Sequence, residues 1–394
     1  MKIAIVFDGL GIGGIEIIGK NFAEIFNDNN FEVTVFNLDP KQNIMENEFP
    51  KNIKIVHLPF GRKICPEQYA QIIKHFWFGR FLYPIMYIIL TMFCLIYKYF
   101  CKLIYKELSS EYDLAIAISG HFNDLTFIAF DFLKTKNKVA WSHGALYSYL
   151  LMSDGFFNLY KKINNIIVSV DDSEEEVIMY NKVSFNTSKI YNPVSFSEKY
   201  LDNNKIEKLK KKFGKYILVI ARFTYPHKDH YTILSAFNLL VEKYEHDLNI
   251  VLIGDGPEYD NIIRHVSNFN EKVRSNIHFL GSQKDIINYY KSAYILVHAS
   301  VAGEGLPTVM IEALHYELPM VVTDSKVGPR EILGDNEYGL LCKVKDYEDM
   351  AKKINSLYLN KDLYEEIKEK SKIRARDFYP EKIFEKFMNY INNL

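Results

Sequence analysis

The stretch that decides the fold is Tyr294-Ile295-Leu296-Val297-His298-Ala299-Ser300, which runs through Val301-Ala302 into Gly303-Glu304-Gly305-Leu306-Pro307-Thr308-Val309-Met310-Ile311-Glu312-Ala313. Its first part is a short apolar run and reads as a strand over 294–299. Its last part reads as a helix over 308–316, with Pro307 at the entry. A strand feeding a helix through a glycine loop is the repeating unit of a parallel α/β sheet. Glycines let such a loop approach a ligand closely. The unpaired N–H groups at the helix start, near Leu306 to Val309, suit a diphosphate. Glu304 stands in the loop, and Glu312 stands one turn into the helix. Glu304 is suited to holding sugar hydroxyls and Glu312 to accepting hydrogen bonds from a ribose.

Working outward, the same alternation continues on both sides. Strands are predicted at 216–221, 249–253, 277–280 and 320–323, with helices at 230–245, 258–268 and 285–292 between them. A second series lies upstream, with strands at 2–7, 32–38, 53–58, 114–119, 138–141 and 165–170. The two series meet at Asn192-Pro193-Val194, a dipeptide pattern that breaks local structure. The expected organisation is a domain over 1–193, a second over 194–376, and a final helical segment, 377–394, that packs back on the first.

Bulk composition narrows the partners. A chain of 394 residues with 48% apolar side chains has enough material for two cores. Its net charge of −1 argues against nucleic acid as a partner. Cys65, Cys94, Cys101 and Cys342 form no C-x-x-C pair, which fits reduced thiols in a cytoplasmic protein. The apolar run Ile3 to Phe7 is too short for a signal peptide.

Two cations stand out in the second series. Arg222 follows the strand at 216–221 directly, at the end where α/β sheets bind ligands, and Lys228 follows six residues later. Arg presents a fork to phosphate oxygens and Lys a point charge. A departing diphosphate gains negative charge, and fixed cations stabilise it. At the other end of the chain, the turn Gly9-Leu10-Gly11-Ile12-Gly13-Gly14 sits at a first strand–helix junction, where glycine loops serve phosphate ligands. Taken alone, this turn with Asp39 downstream would also suit a nicotinamide dehydrogenase, but that reading leaves the Glu304 segment without a role.

The Gly303–Ala313 segment resembles the motif of two glutamates separated by seven residues in retaining glycosyltransferase family four, which has the GT-B fold. Ala221-Arg222-Phe223 with Lys228 resembles the family's donor-diphosphate pair. Gly254-Asp255-Gly256-Pro257, Phe279-Leu280-Gly281-Ser282, Gly328-Pro329-Arg330-Glu331-Ile332 and Tyr338-Gly339-Leu340-Leu341 resemble its further signatures. Overall the chain resembles the subgroup that builds bacterial surface glycans on polyprenyl diphosphate carriers. The resemblance implies an α/β protein of GT-B type, with two Rossmann-like domains facing a central cleft. It implies a nucleotide sugar donor, with UDP as the carrier, a lipid-linked glycan acceptor, a membrane surface, and no metal or other cofactor. The implied catalytic set is Arg222, Lys228, Glu304 and His143. His143 lies in Trp141-Ser142-His143-Gly144, where a family histidine sits beside the transferred sugar. The implied nucleotide-sugar set is Gly13, Gly14, Gly281, Ser282, Gly305, Leu306, Pro307, Thr308 and Glu312. A nucleotide-sugar epimerase or hydrolase on the same fold is the alternative, and an inactive membrane scaffold is a further one. His121 is a second, weaker histidine candidate on the same sheet edge as His143.

Two further segments carry competing readings. The acidic run Asp171-Asp172-Ser173-Glu174-Glu175-Glu176 reads as a helix start favoured by the dipole rather than as a metal site. Residues 81–97 carry no charge, yet a single membrane span there would separate strands of one sheet. At helical spacing Arg80, Thr91, Lys98 and Lys102 share one stripe, with Lys106 close by. An apolar helix with a basic stripe over 81–106 is expected to lie in a membrane interface at the inner face of the cell membrane. The competing reading is a core helix with snorkelling lysines.

Overall fold

The computed structural model describes residues 1–11, 13–143, 153–170, 185–194, 196, 198–302, 304–326 and 328–394. Ile12, Gly144, Gly303 and the acidic run Asp171–Glu176 therefore lie outside the described residues. The chain divides into two compact units. One is Met1–Pro193 together with Ile383–Leu394, and the other is Val194–Lys382.

The first unit is built on a seven-stranded sheet. Its strands are β1 (Lys2–Phe7), β2 (Glu32–Asn37), β3 (Lys54–His57), β4 (Glu111–Ala117), β5 (Lys134–Ser142), β6 (Asn165–Val168) and β7 (Asn186–Lys189). Their order is β3-β2-β1-β4-β5-β6-β7, with every pairing parallel. A parallel sheet carries helices on both faces, so its inner strands are apolar throughout. Ile3 to Phe7 accordingly have no exposed surface. The helix Gly14–Asp28 buries Phe22 and Phe26 on this sheet. Phe22 lies 4.3 Å from Trp141 of β5, and Phe26 lies 4.9 Å from Phe387 of the last helix, Pro380–Ile391. These ring contacts tie the end of the chain to the first unit.

The second unit repeats the plan with six strands: β8 (Tyr216–Ile220), β9 (Asn249–Ile253), β10 (Ile277–Phe279), β11 (Ile295–His298), β12 (Met320–Thr323) and β13 (Leu340–Cys342). Their order, β10-β9-β8-β11-β12-β13, is again all parallel. In both sheets the order reverses beside the first strand, between β1 and β4 and between β8 and β11. Crevices at such switch points are the ligand positions of open α/β sheets. Two glycines are required near the second one. Gly254 has φ 144°, and a Cβ there would stand 2.0 Å from the Ala221 carbonyl oxygen. A Cβ on Gly328 would stand 1.4 Å from the Gly305 oxygen. Both let loops close against each other at the sheet's carboxyl edge.

The segment with the two competing readings forms the helix Gly79–Ile104. It is not a core helix, since only Gly79, Cys94 and Cys101 are buried. Within the basic stripe Lys98 and Lys102 are half-buried against the unit while Arg80 and Lys106 are exposed, and this corrects the expectation of a continuous polar rim. Lys98 donates to the Phe130 carbonyl oxygen at 3.0 Å. Packing against the unit, with Lys98 adding to it, lowers the pKa of Lys102 against the opposing charge of Asp131. The outward residues are instead Phe81, Leu82, Ile85, Ile88, Ile89, Met92, Phe93, Leu95, Ile96, Tyr99, Phe100, Leu103 and Ile104. The helix thus sets Lys98 and Lys102 against the protein and leaves its apolar face exposed. Trp77, 89% exposed, extends this face beyond the helix start.

Candidate functional site

The site of the second unit grows from the carboxyl ends of β8 and β11. Beyond β8 the chain turns through Ala221 and Arg222, and Phe223 is drawn inward and buried. Its N–H donates to the Asp255 carbonyl oxygen at 3.0 Å, fastening this turn to the loop after β9. The chain returns at Lys228. Asp229 then caps the helix His230–Glu242 by accepting from the Thr232 N–H at 3.1 Å. These turns surround a cavity of about 520 Å³. Arg222, Lys228, Asp255, Ser282, Gln283 and Val309 are among the residues that line it. The sequence-predicted Arg222, Lys228 and Ser282 are therefore brought together, and Gly281 adjoins them in a left-handed turn at φ 64°.

Glu304 lies against this cavity's lysine. Its Oε1 is ion-paired with Lys228, and its Oε2 accepts from His298 Nε2 at 2.9 Å. Lys228 Nζ is also 3.3 Å from His298 Nε2. Burial pushes the carboxyl of Glu304 up, but the His298 hydrogen bond and the Lys228 charge outweigh it, and its pKa is lowered. Burial likewise lowers His298, which is therefore a neutral donor to Glu304 at neutral pH. Sequence reasoning missed His298, although it ends the strand that led to the motif.

Glu312 stands in the helix Thr308–His315 and accepts from the Tyr290 hydroxyl at 2.7 Å. Burial raises its pKa to about 7, and the Tyr290 hydrogen bond opposes this only in part. Pro307 occupies the N-cap with no side-chain cap bond, so the N–H groups of the first turn keep their anion-binding capacity. Leu306 is buried beneath this turn. Gly305 packs on Gly328, as the close approach of its carbonyl oxygen requires.

Gly13, Gly14 and His143 belong to the first unit. Gly13 caps the helix Gly14–Asp28. A Cβ on Gly13 would meet the Glu16 carboxylate at 2.4 Å, so this helix start already carries an anion of its own. His143 has both ring nitrogens engaged. Nε2 lies 2.7 Å from the Ile118 carbonyl oxygen, and Nδ1 lies 3.2 Å from the Asn192 amide. Burial lowers its pKa to about 4, so the ring is neutral at neutral pH. Among the described residues no group of three or more His, Cys, Asp or Glu side chains is gathered in a metal-binding cluster.

Residues 202–374 match the family described as Glycosyl transferases group 1, a span that makes up most of the second unit. With its two parallel-sheet α/β units, the chain has the GT-B fold, and its second unit carries the group 1 glycosyltransferase signature. Relatives agree with this class. An uncharacterized glycosyltransferase of Haemophilus influenzae is 27% identical over 288 residues, covering 72% of this chain and 76% of its own. The N-acetylgalactosamine-N,N'-diacetylbacillosaminyl-diphospho-undecaprenol 4-alpha-N-acetylgalactosaminyltransferase of Campylobacter jejuni is 27% identical over 234 residues, covering 59% of this chain and 61% of its own. Among solved structures, Anabaena HepE in complex with UDP superimposes with a TM-score of 0.75 at 18% identity, covering 100% of both chains.

Proposed function

We propose that the protein is a retaining glycosyltransferase that moves a hexose or N-acetylhexosamine from a nucleotide diphosphate sugar, with UDP as the carrier, to a polyprenyl-diphosphate-linked glycan in surface polysaccharide or glycoconjugate synthesis. The observation that carries this reading is the meeting of Arg222, Lys228 and Ser282 in one cavity, with Glu304 ion-paired to its lysine. Arg222 and Lys228 hold the diphosphate together with the N–H groups at the start of the helix Thr308–His315. Glu312 takes the ribose hydroxyls. Glu304 takes hydroxyls of the transferred sugar.

In the reaction the bond from the anomeric carbon to the diphosphate oxygen breaks. The acceptor oxygen bonds to the same face, and its proton passes to the departing diphosphate. Arg222 and Lys228 lower the barrier by stabilising the charge that gathers there. Double displacement would instead require a free carboxylate as nucleophile. Glu304 is a poor candidate for that role, because both its oxygens are held by Lys228 and His298. No metal enters this scheme, and activity is expected to persist in excess EDTA.

The acceptor's lipid places the reaction at a bilayer, and the outward face of the helix Gly79–Ile104 supports residence there. Fifteen large apolar or aromatic side chains from Trp77 to Ile104 are exposed, which a soluble surface rarely tolerates in one patch. The protein is accordingly proposed to lie on the cytoplasmic face of the membrane, with this helix in the interfacial plane.

The test is a panel of UDP-sugars offered with and without a polyprenyl-diphosphate-linked glycan, with UDP release measured and the product's anomeric configuration read by NMR. UDP release that depends on the acceptor, with the donor's configuration retained, is the expected result. An inverted product would contradict the mechanism. Donor consumption indifferent to the acceptor would favour an epimerase or hydrolase.

A further inference from the structure

A polar cavity that the donor chemistry does not use lies in the seam between the helix Gly79–Ile104 and the helix Asp154–Ile163, whose last turn leads into the amino end of β6. Its volume is about 490 Å³, within the range of about 300–1,000 Å³ usual for small-molecule sites. Glu67, Tyr83, Tyr87, Asn158, Lys161 and Lys162 line it.

Its floor is a carboxylate that the protein already satisfies. Glu67 is 1% exposed, and its Oε2 accepts from the Tyr83 hydroxyl and from Asn158 Nδ2, each at 3.0 Å. Its Oε1 accepts from the Tyr87 hydroxyl at 3.1 Å and stands 3.6 Å from Lys162 Nζ. Burial and the Glu67 charge raise the pKa of Tyr83, which keeps that phenol a donor. A Cβ on Gly155 would stand 2.1 Å from the Glu67 carbonyl oxygen, so the second helix closes directly on this floor.

The mouth of the cavity is cationic. Lys161 and Lys162 occupy the last turn of the helix Asp154–Ile163. Lys162 donates to the Tyr87 hydroxyl oxygen at 2.9 Å and sits 4.0 Å from the centre of the Phe130 ring. An ammonium carries three donors, so Lys162 keeps capacity for a ligand. Lys161 is exposed and makes no ion pair with the described residues. Arg80, also exposed, precedes Tyr83 by one turn and falls within about 20° of Tyr87 on the helix. Asp154, which bears on Tyr83, stands roughly two turns from Lys161. Leu82 and Ile85, within two residues of Tyr83, belong to the exposed apolar face. A cationic pocket with its carboxylate already paired therefore opens beside a wide apolar surface.

We propose that this cavity is a headgroup site for an anionic glycerophospholipid of the bilayer, whose phosphate is held by Lys161, Lys162 and Arg80 while its acyl chains run along the exposed face of the helix Gly79–Ile104. Donors without a free acceptor select an anion over a sugar or a choline. The adjoining apolar face selects an amphiphile over free phosphate. An apolar face alone sets the depth of a helix in the bilayer, and a headgroup gripped at one edge also sets its rotation. The inference rests on the reading of this helix as interfacial and adds the lipid that it meets.

The test is flotation of the full chain with neutral phosphatidylcholine vesicles and with vesicles that also contain phosphatidylglycerol, together with saturation-transfer NMR on soluble dihexanoyl phosphatidylglycerol. Tighter binding to the phosphatidylglycerol vesicles is expected. Arg80→Ala/Lys161→Ala should reduce that preference about tenfold or more. Both residues are exposed, so folding should not change. Lys208→Ala/Lys211→Ala removes the same charge from an exposed face of the second unit and should keep the preference. Equal binding of wild type to both vesicles, or equal losses in the two double variants, would overturn the headgroup site and leave the interfacial helix standing. Binding of neither vesicle, with dihexanoyl phosphatidylglycerol still held in a manner sensitive to Arg80→Ala/Lys161→Ala, would remove the interfacial helix and support the headgroup site. Polyprenyl phosphate in neutral vesicles that outcompetes phosphatidylglycerol for the same residues would overturn the choice of a bilayer phospholipid.

Discussion

The two units share a strand order and a parallel sheet, yet they present opposite chemistry at the same topological place. At the switch point of the second sheet the side chains are cationic, with Arg222 and Lys228 set beside a helix start that lacks a cap. At the switch point of the first sheet a carboxylate, Asp8, stands in the same relation to its strand, and the adjacent helix start is met by Glu16. The former suits a phosphate, whereas the latter already pairs its carboxylate with His121 and Arg62. The contrast extends to their helices. The helix His230–Glu242 buries Ile233, Leu234, Phe237 and Leu240 on its sheet. The helix Gly79–Ile104 turns its apolar residues away from the protein. A shared backbone plan therefore leaves the ligand open, and the residues at the strand ends decide it.

The largest expected effect breaks or sharpens the contrast between the helices. Ile88, Met92 and Phe93 are each about 60% exposed, so their combined replacement by Gln should leave the melting temperature nearly unchanged. It should reduce sedimentation with phosphatidylglycerol-containing vesicles by about 10²-fold or more, given about 1.5–3 kcal/mol for each large apolar side chain fully buried. Lys98→Glu with Lys102→Glu should instead lower the melting temperature, because both lysines face the protein. Vesicle binding that survives the Gln variant would remove the interfacial helix.

An effect of middle size concerns Glu312. Its pKa is about 7 in the folded chain against the ordinary 4.5. Between those values the folded state holds a proton that the unfolded state has lost. The stability contributed by this group is thus complete below about pH 4.5 and is lost as pH rises through about 7. A ribose hydroxyl donates more strongly to the ionised form of Glu312. UDP affinity should therefore rise about tenfold from pH 6 to pH 8, and Glu312→Gln should flatten the profile. An identical profile in the variant would take Glu312 out of the nucleotide site.

The smallest effect concerns His298. His298→Leu removes the neutral donor to Glu304 but leaves Lys228 in place. Donor KM should rise about three- to tenfold with UDP affinity unchanged, since the lost bond orients only the group that meets the sugar. Equal losses for UDP and for the intact donor would show that His298 supports the unit as a whole.

The inner strands were legible because parallel strands covered on both faces read as apolar runs, as in Ile3–Phe7 and Ile250–Ile253. Edge strand β7, Asn-Thr-Ser-Lys, carries no such signal, since only backbone pairing with β6 makes it a strand. Arg222, Lys228 and the two glutamates were legible because their positions follow strand ends in order. His298 was not, because its contact with Glu304 depends on how the intervening loop returns. Of the stripe Arg80, Thr91, Lys98 and Lys102, the last three share the face that meets the protein and Arg80 is exposed. Periodicity does not say which face meets the protein, and the carbonyl of Phe130 reversed the expected direction. Glu67 escaped notice for a related reason, since its burial among Tyr83, Tyr87 and Asn158 is visible only once its surroundings are built.

The central claim is that the cationic strand end of the second unit binds the donor's diphosphate. Titration calorimetry of UDP into wild-type protein and into Arg222→Ala/Lys228→Ala tests it most directly. The account predicts saturable one-to-one binding to wild type that weakens with added salt. It predicts a loss of about 10²-fold or more in the double variant, with two charge-assisted contacts to phosphate removed. Equal affinity for UDP in the two proteins would contradict it.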